Sequence, residues 1–150
     1  MSINGEWFNE FGSVMSITLP SGEPGALHGF YNSQVGEAIG AYPLVGYIGE
    51  PEEAGFGIPL GWAVSWRGER RNAFSVTCWS GQYLQDVEQI LATWLLTRSM
   101  EVGNAWEATV IGHDVFRREK PTAEDVARSL RSNRPLSHPA SRSVAGPELL

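Results

Sequence analysis

Short runs in which apolar and polar residues change places every second position recur along this chain, each closed by turn-forming residues. Successive side chains of a strand point to opposite faces, so this alternation predicts half-buried β-strands rather than helices. Eight runs carry it: Gly5 to Asn9, Val14 to Leu19, Ala26 to Tyr31, Tyr42 to Ile48, Gly57 to Arg67, Asn72 to Leu84, Glu88 to Arg98 and Thr109 to Arg118. The separators are rich in Gly, Pro, Ser and acids, as in Ser21-Gly22-Glu23-Pro24-Gly25. Eight strands joined by hairpin-length links predict an all-β, up-and-down antiparallel barrel, in which closure removes exposed edges and the interior admits one small ligand.

The two faces of these strands are unusual. Ser75, Thr77 and Trp79 share one face of the sixth run, and hydroxyls beside an indole suit the lining of a ligand cavity better than a packed core. Phe74, Val76 and Cys78 occupy the other face, and Leu91 and Leu95 sit opposite Ile90, Ala92, Trp94 and Leu96 in the seventh run. A barrel that is apolar outside as well predicts a cover, and a second copy of the chain is the commonest one. A homo-oligomer built through strands six to eight is therefore expected. Cys78, the lone cysteine, is expected to behave as a small buried hydrophobe.

After Arg118 the pattern changes. Thr122-Ala123-Glu124-Asp125 reads as a capping box with Asp in the place of Glu, opening a short helix on which Val126 and Leu130 share one side. From Ser132 onward Pro, Ser, Asn and Arg dominate, and little order is expected. The chain thus divides into a barrel over 3–121 and a tail over 122–150. The link Ser33 to Gly40, with two glycines, could serve as a mobile flap over the barrel mouth.

Charge and motifs narrow the function. Residues 1–116 hold 13 acids and 4 bases, whereas 117–150 hold 4 acids and 7 bases, for a net charge of -6. An acidic body argues against a nucleic-acid partner, which needs clustered Lys and Arg. No apolar run approaches membrane-spanning length, and no signal-like segment precedes the first strand. His28, His113 and His138 lack metal-ligand spacing, and His113 and Asp114 point to opposite faces of one strand, so neither a metal site nor an enzyme is expected.

Six segments in order resemble the successive motifs of the avidin and streptavidin family, with streptavidin nearest. They are Trp7-Phe8-Asn9-Glu10-Phe11-Gly12-Ser13, Gly29-Phe30-Tyr31-Asn32-Ser33, Gly61-Trp62-Ala63-Val64-Ser65-Trp66, Trp79-Ser80-Gly81-Gln82-Tyr83, Trp94-Leu95-Leu96-Thr97, and Asn104-Ala105-Trp106 followed by Gly112-His113-Asp114-Val115-Phe116. The likeness runs over about residues 3 to 121. It implies high-affinity, non-catalytic binding of biotin, with no cofactor beyond that ligand.

By the same resemblance Asn9, Ser13 and Tyr31 donate to the ureido oxygen of biotin, while Ser33 and Asp114 accept from its two N–H groups. Asp114, an ionised acceptor, would make the strongest of these bonds. Trp66, Trp79 and Trp94 match the indoles that wall the bicyclic ring, with Leu96 beside them, and Thr77 matches the hydroxyl near its sulfur. The valerate carboxylate would leave past Ala73, Ser75 and the link that carries Val35 and Glu37. Glu37 departs from the family, which places a small polar side chain there. Trp106 matches a residue lent to an adjacent subunit's pocket, which implies an assembly, a tetramer by the family's habit. Relatives are typically secreted, and the purpose implied is vitamin sequestration. The alternative left open by the strands alone is a lipocalin-like carrier of another small hydrophobic ligand.

Overall fold

A computed structural model describes residues 2–34, 40–67 and 72–132 of the chain. Eight strands follow one another, β1 (Gly5–Phe8), β2 (Val14–Thr18), β3 (Ala26–Asn32), β4 (Ala41–Ile48), β5 (Ile58–Arg67), β6 (Asn72–Leu84), β7 (Gln89–Arg98) and β8 (Thr109–Arg117), then one helix, α1 (Ala123–Ser132). Each strand pairs antiparallel with the next, and β8 returns to β1, closing the barrel that the alternation predicts. Every strand boundary lies within one residue of its sequence expectation. The small differences have local causes: Glu88 falls outside β7 because it adopts a left-handed φ of 46° after the 3-10 turn Gln85–Val87.

The interior holds Trp7, Met15, Leu27, Tyr42, Leu44, Val64, Ile90, Trp94 and Phe116, all essentially inaccessible. Aromatic rings dominate its middle layer. Trp79 stacks on Tyr31 at 5.2 Å and on Trp62 at 5.5 Å between centroids, while Phe116 meets Trp62 edge-on at 5.8 Å. Such pairs add roughly 1 kcal/mol each beyond the area they bury. Gly112 faces Trp94 across the ladder, and a Cβ there would lie 2.2 Å from the indole, so that position must be glycine for Trp94 to lie flat.

The ladders are unequal. β7 and β8 pair over nine positions, from Gln89 with Arg117 to Thr97 with Thr109, whereas β1 and β8 pair only through Phe8 with Arg117. Side chains close what the ladder leaves open. Arg118 lies 3.9 Å over the Trp7 ring and donates to the carbonyls of Asn4 at 3.0 Å and Ser2 at 2.6 Å. Helix α1 begins as its capping box predicts: Asp125 N–H donates to Thr122 Oγ1 at 3.1 Å, and Thr122 N–H donates back to the Asp125 carboxylate at 3.3 Å. The Thr122 bonds hold the Asp125 carboxyl below its ordinary value. Val126 rests against Gly12 of the β1–β2 link.

One expectation is corrected in the single chain. Cys78 is exposed, not buried. It lies on the outward face that alternation requires, but no described residue covers that face of β6, and Phe74, Val76, Leu95 and Ile111 stand exposed around it. The expected flap lies outside the described residues except for its ends, as does the tail beyond Ser132.

Candidate functional site

In an up-and-down barrel alternate links leave the same end. The β1–β2, β3–β4, β5–β6 and β7–β8 links share one end here, and the polar residues of interest gather in or just below them. Asn9 sets the first link. Its Oδ1 accepts from the N–H groups of Phe11 at 3.1 Å and Ser13 at 3.0 Å, an Asx-type turn that Gly12 completes at a φ of 80°. With Oδ1 committed to the turn, the amide orientation is fixed, and Nδ2 donates inward to Tyr31 Oη at 3.3 Å. Ser13 Oγ accepts from Gln34 N–H at 3.2 Å, which ties this link to the end of β3 and to the buried Ser33.

Tyr31 has no solvent access. Burial, helped by the charges of Asp114 and Glu10 and opposed by a hydrogen bond with Ser13, raises its pKa well above 10. The phenol therefore keeps its proton and can act as a donor at neutral pH.

Asp114 is the most costly group in the barrel. It is 1% exposed, and desolvation lifts its pKa from 3.8 to about 7, with Glu10 adding to the rise. Trp79 Nε1–H donates to its Oδ2 at 2.9 Å and works in the opposite direction, with smaller help from Asn9 and Trp94. The other oxygen, Oδ1, has no hydrogen-bond partner among the described residues, and neither has the Trp94 indole N–H. The Trp94 donor is near enough to favour the charged form yet outside hydrogen-bonding geometry. A buried carboxylate oxygen left in this state costs free energy.

Aromatic walls surround these groups. Trp66 Nε1–H donates to Thr77 Oγ1 at 2.8 Å, so Thr77 orients the indole as well as presenting a hydroxyl. Trp66 also meets Tyr31 edge-on at 5.6 Å and Tyr42 at 5.1 Å. Trp66, Thr77, Trp79, Trp94 and Leu96 are all buried on the inner face, and Ala73 and Ser75 lie half-buried nearer the open end. Between those two, Phe74 turns outward with a φ of 49° where the β5–β6 register shifts, which costs of order 1–3 kcal/mol for a non-glycine residue.

The remaining expected residues are placed differently. Trp106 lies on the 3-10 segment Val102–Glu107 in the β7–β8 link and is 80% exposed, away from the interior of its own chain. Val35 and Glu37 lie outside the described residues. Sequence reasoning did not assign Trp62, Tyr42 and Phe116 to the wall; Trp62 and Phe116 share the parity of Trp66 on β5 and of Asp114 on β8, which was the available signal, whereas Tyr42 joins through its pairing with Tyr31 across β3 and β4.

Comparison with known proteins fits this geometry. The model of the avidin family matches residues 1–119. The chain belongs to the avidin family. It is 26% identical over 125 residues to avidin-related protein 6 of Gallus gallus, covering 82% of this chain and 81% of that protein. Members of this family bind ligands without catalysis, and the eight-stranded antiparallel barrel is consistent with the avidin fold, with α1 following beyond the matched residues.

Proposed function

We propose that this barrel is a non-catalytic receptor for biotin, holding one molecule per chain and withdrawing the vitamin from competitors. The observation that carries the reading is the buried Asp114, with one oxygen anchored by Trp79 and the other without a partner among the described residues. A cyclic urea offers the complement. It has N–H donors for Asp114 and Ser33, and an oxygen that can accept from Asn9, Ser13 and Tyr31 at the same time. Trp66, Trp79 and Trp94 supply flat apolar walls for a fused bicyclic ring, with Thr77 near its sulfur and Leu96 beside it. Ala73 and Ser75, together with Val35 and Glu37, would meet the acid chain at the mouth. No cofactor enters this reading.

The exposed Trp106 and the apolar outer faces of β6 to β8 support a homo-oligomer, a tetramer in this proposal, in which Trp106 closes a neighbour's pocket. A lipocalin-like carrier would instead want an apolar interior and has no use for five buried polar side chains.

Isothermal titration with biotin should give one site per chain. Asp114→Ala should lower the affinity by about 100-fold or more, the size expected for a lost hydrogen bond to a charged group. Folded protein that takes up a retinoid-like or fatty probe but gives no heat with biotin would overturn the assignment in favour of the carrier.

A further inference from the structure

The β1/β8 seam is where the barrel is least paired, and two of the key polar residues flank it. Extending the single pair Phe8 with Arg117 in antiparallel register would bring residue 10 opposite Val115. The chain does not continue there, because Asn9 turns it away. Instead the Glu10 side chain reaches back, and its Oε2 accepts from the Val115 N–H at 3.4 Å. That N–H belongs to the residue after Asp114, and Glu10 is the residue after Asn9. One carboxylate thus spans from the link that aims Asn9 to the strand that aims Asp114.

We propose that Glu10 is a positioning residue for the candidate site: it latches the β1–β2 link onto β8 in place of the missing ladder and sets a second negative charge beside Asp114. The ligand arm of this idea rests on the biotin reading above; the latch itself does not. Glu10 is half-buried, and burial raises its pKa against the pull of its own backbone, the Val115 N–H and Arg117. Arg117, Glu119, Lys120 and Asp125 line the crevice of about 380 Å³ in which Glu10 stands, under α1. Tyr31, Asn9, Trp79 and Trp94 face Asp114 from within. The negative charge of Glu10 opposes a second one on Asp114, so the repulsion holds the Asp114 pKa up and delays its ionisation. Avidity for a urea N–H donor then becomes sensitive to pH near neutrality, because the ionised acceptor makes the stronger bond.

Two variants separate latch from charge. Glu10→Gln keeps an acceptor of the same reach without the charge; Glu10→Ala removes both. Biotin titrations across pH should show wild-type affinity rising through a midpoint of about 7, set by Asp114. In Glu10→Gln that midpoint should move down by about one pH unit. In Glu10→Ala the high-pH plateau should fall up to about tenfold below that of Glu10→Gln, the worth of one neutral hydrogen bond. The same claims are read without ligand. The carbon-13 shift of the Asp114 carboxyl should titrate at lower pH in Glu10→Gln, and the Val115 amide should exchange about tenfold faster in Glu10→Ala only. A Val115 amide equally protected in all three proteins would overturn the latch. An unmoved Asp114 midpoint would overturn the charge coupling. If biotin fails to bind while both ligand-free signals appear as expected, the functional assignment falls and the latch stands.

Discussion

The inner and outer faces of β6, β7 and β8 invert the usual order of a folded domain. Inside, Thr77 and Asp114 are buried among indoles; outside, Val76, Leu95 and Ile111 are exposed to water in the single chain. Either arrangement alone costs stability, since buried polar groups want partners and exposed apolar surface wants cover. Together they fit the proposed function, in which a polar ligand occupies the interior and a second copy covers the apolar wall. The strands tolerate this because the rest of the interior, from Trp7 and Met15 to Leu44 and Phe116, is conventionally apolar and closely packed.

The inner half of the comparison makes the largest prediction. Asp114 holds its proton more tightly folded, at about 7, than unfolded, at 3.8, so the folded state binds the extra proton between those values. Stability from this group is full below pH 4 and is lost as pH rises toward 7, a change of about 4 kcal/mol for a shift of this size. In Asp114→Asn, which keeps an oxygen for the Trp79 indole, that slope should vanish. Denaturant melts of both proteins between pH 4 and 8 should therefore diverge steadily, with the variant gaining on the wild type as pH rises. Parallel curves would mean that the carboxylate is not desolvated, and the contrast between faces would lose its inner half.

Trp106 joins the two faces, since it sits at the mouth yet points away from its own interior. If it closes a neighbour's pocket, Trp106→Ala should weaken biotin binding by about 2 kcal/mol, in the range of an interfacial anchor, and weaken assembly in the same measure. Titration calorimetry and light scattering on the same samples read both effects. Loss of affinity with unchanged assembly would place the indole over its own site instead.

Most of the fold was legible because strand period, turn residues and parity all agree along this chain. β6 is the clearest instance: Ser75, Thr77 and Trp79 face inward and Phe74, Val76 and Cys78 outward, as alternation requires. Parity could not tell what lies beyond a face, and that is why Cys78 was expected to be buried and stands exposed in one chain. The candidate site was proposed from motif order, which singled out Asn9, Ser13, Tyr31 and Asp114, and the structure buries all four. Their connections were not legible, because contacts such as Glu10 to Val115 or Trp66 to Thr77 depend on where the barrel closes and on how β5 and β6 shift register.

The outer half gives the smallest effect and the sharpest sign. Leu95 and Ile111 pair directly across β7 and β8, and both are about half exposed or more. On a chain that works alone, Leu95→Ser would trade exposed hydrocarbon for a hydroxyl, and the folded state would lose little. On a wall covered by a second copy, the same change removes apolar area at the contact, roughly 1 kcal/mol per chain given that about half the side chain is already buried at home. Because a symmetric interface repeats the loss in every subunit, the assembly should dissociate at higher concentration while each barrel keeps its own melting behaviour. Light scattering over a dilution series, set beside a melt of the dissociated chain, distinguishes the two. An oligomer that survives dilution unchanged would show that this wall stays bare and that the cover lies elsewhere on the barrel.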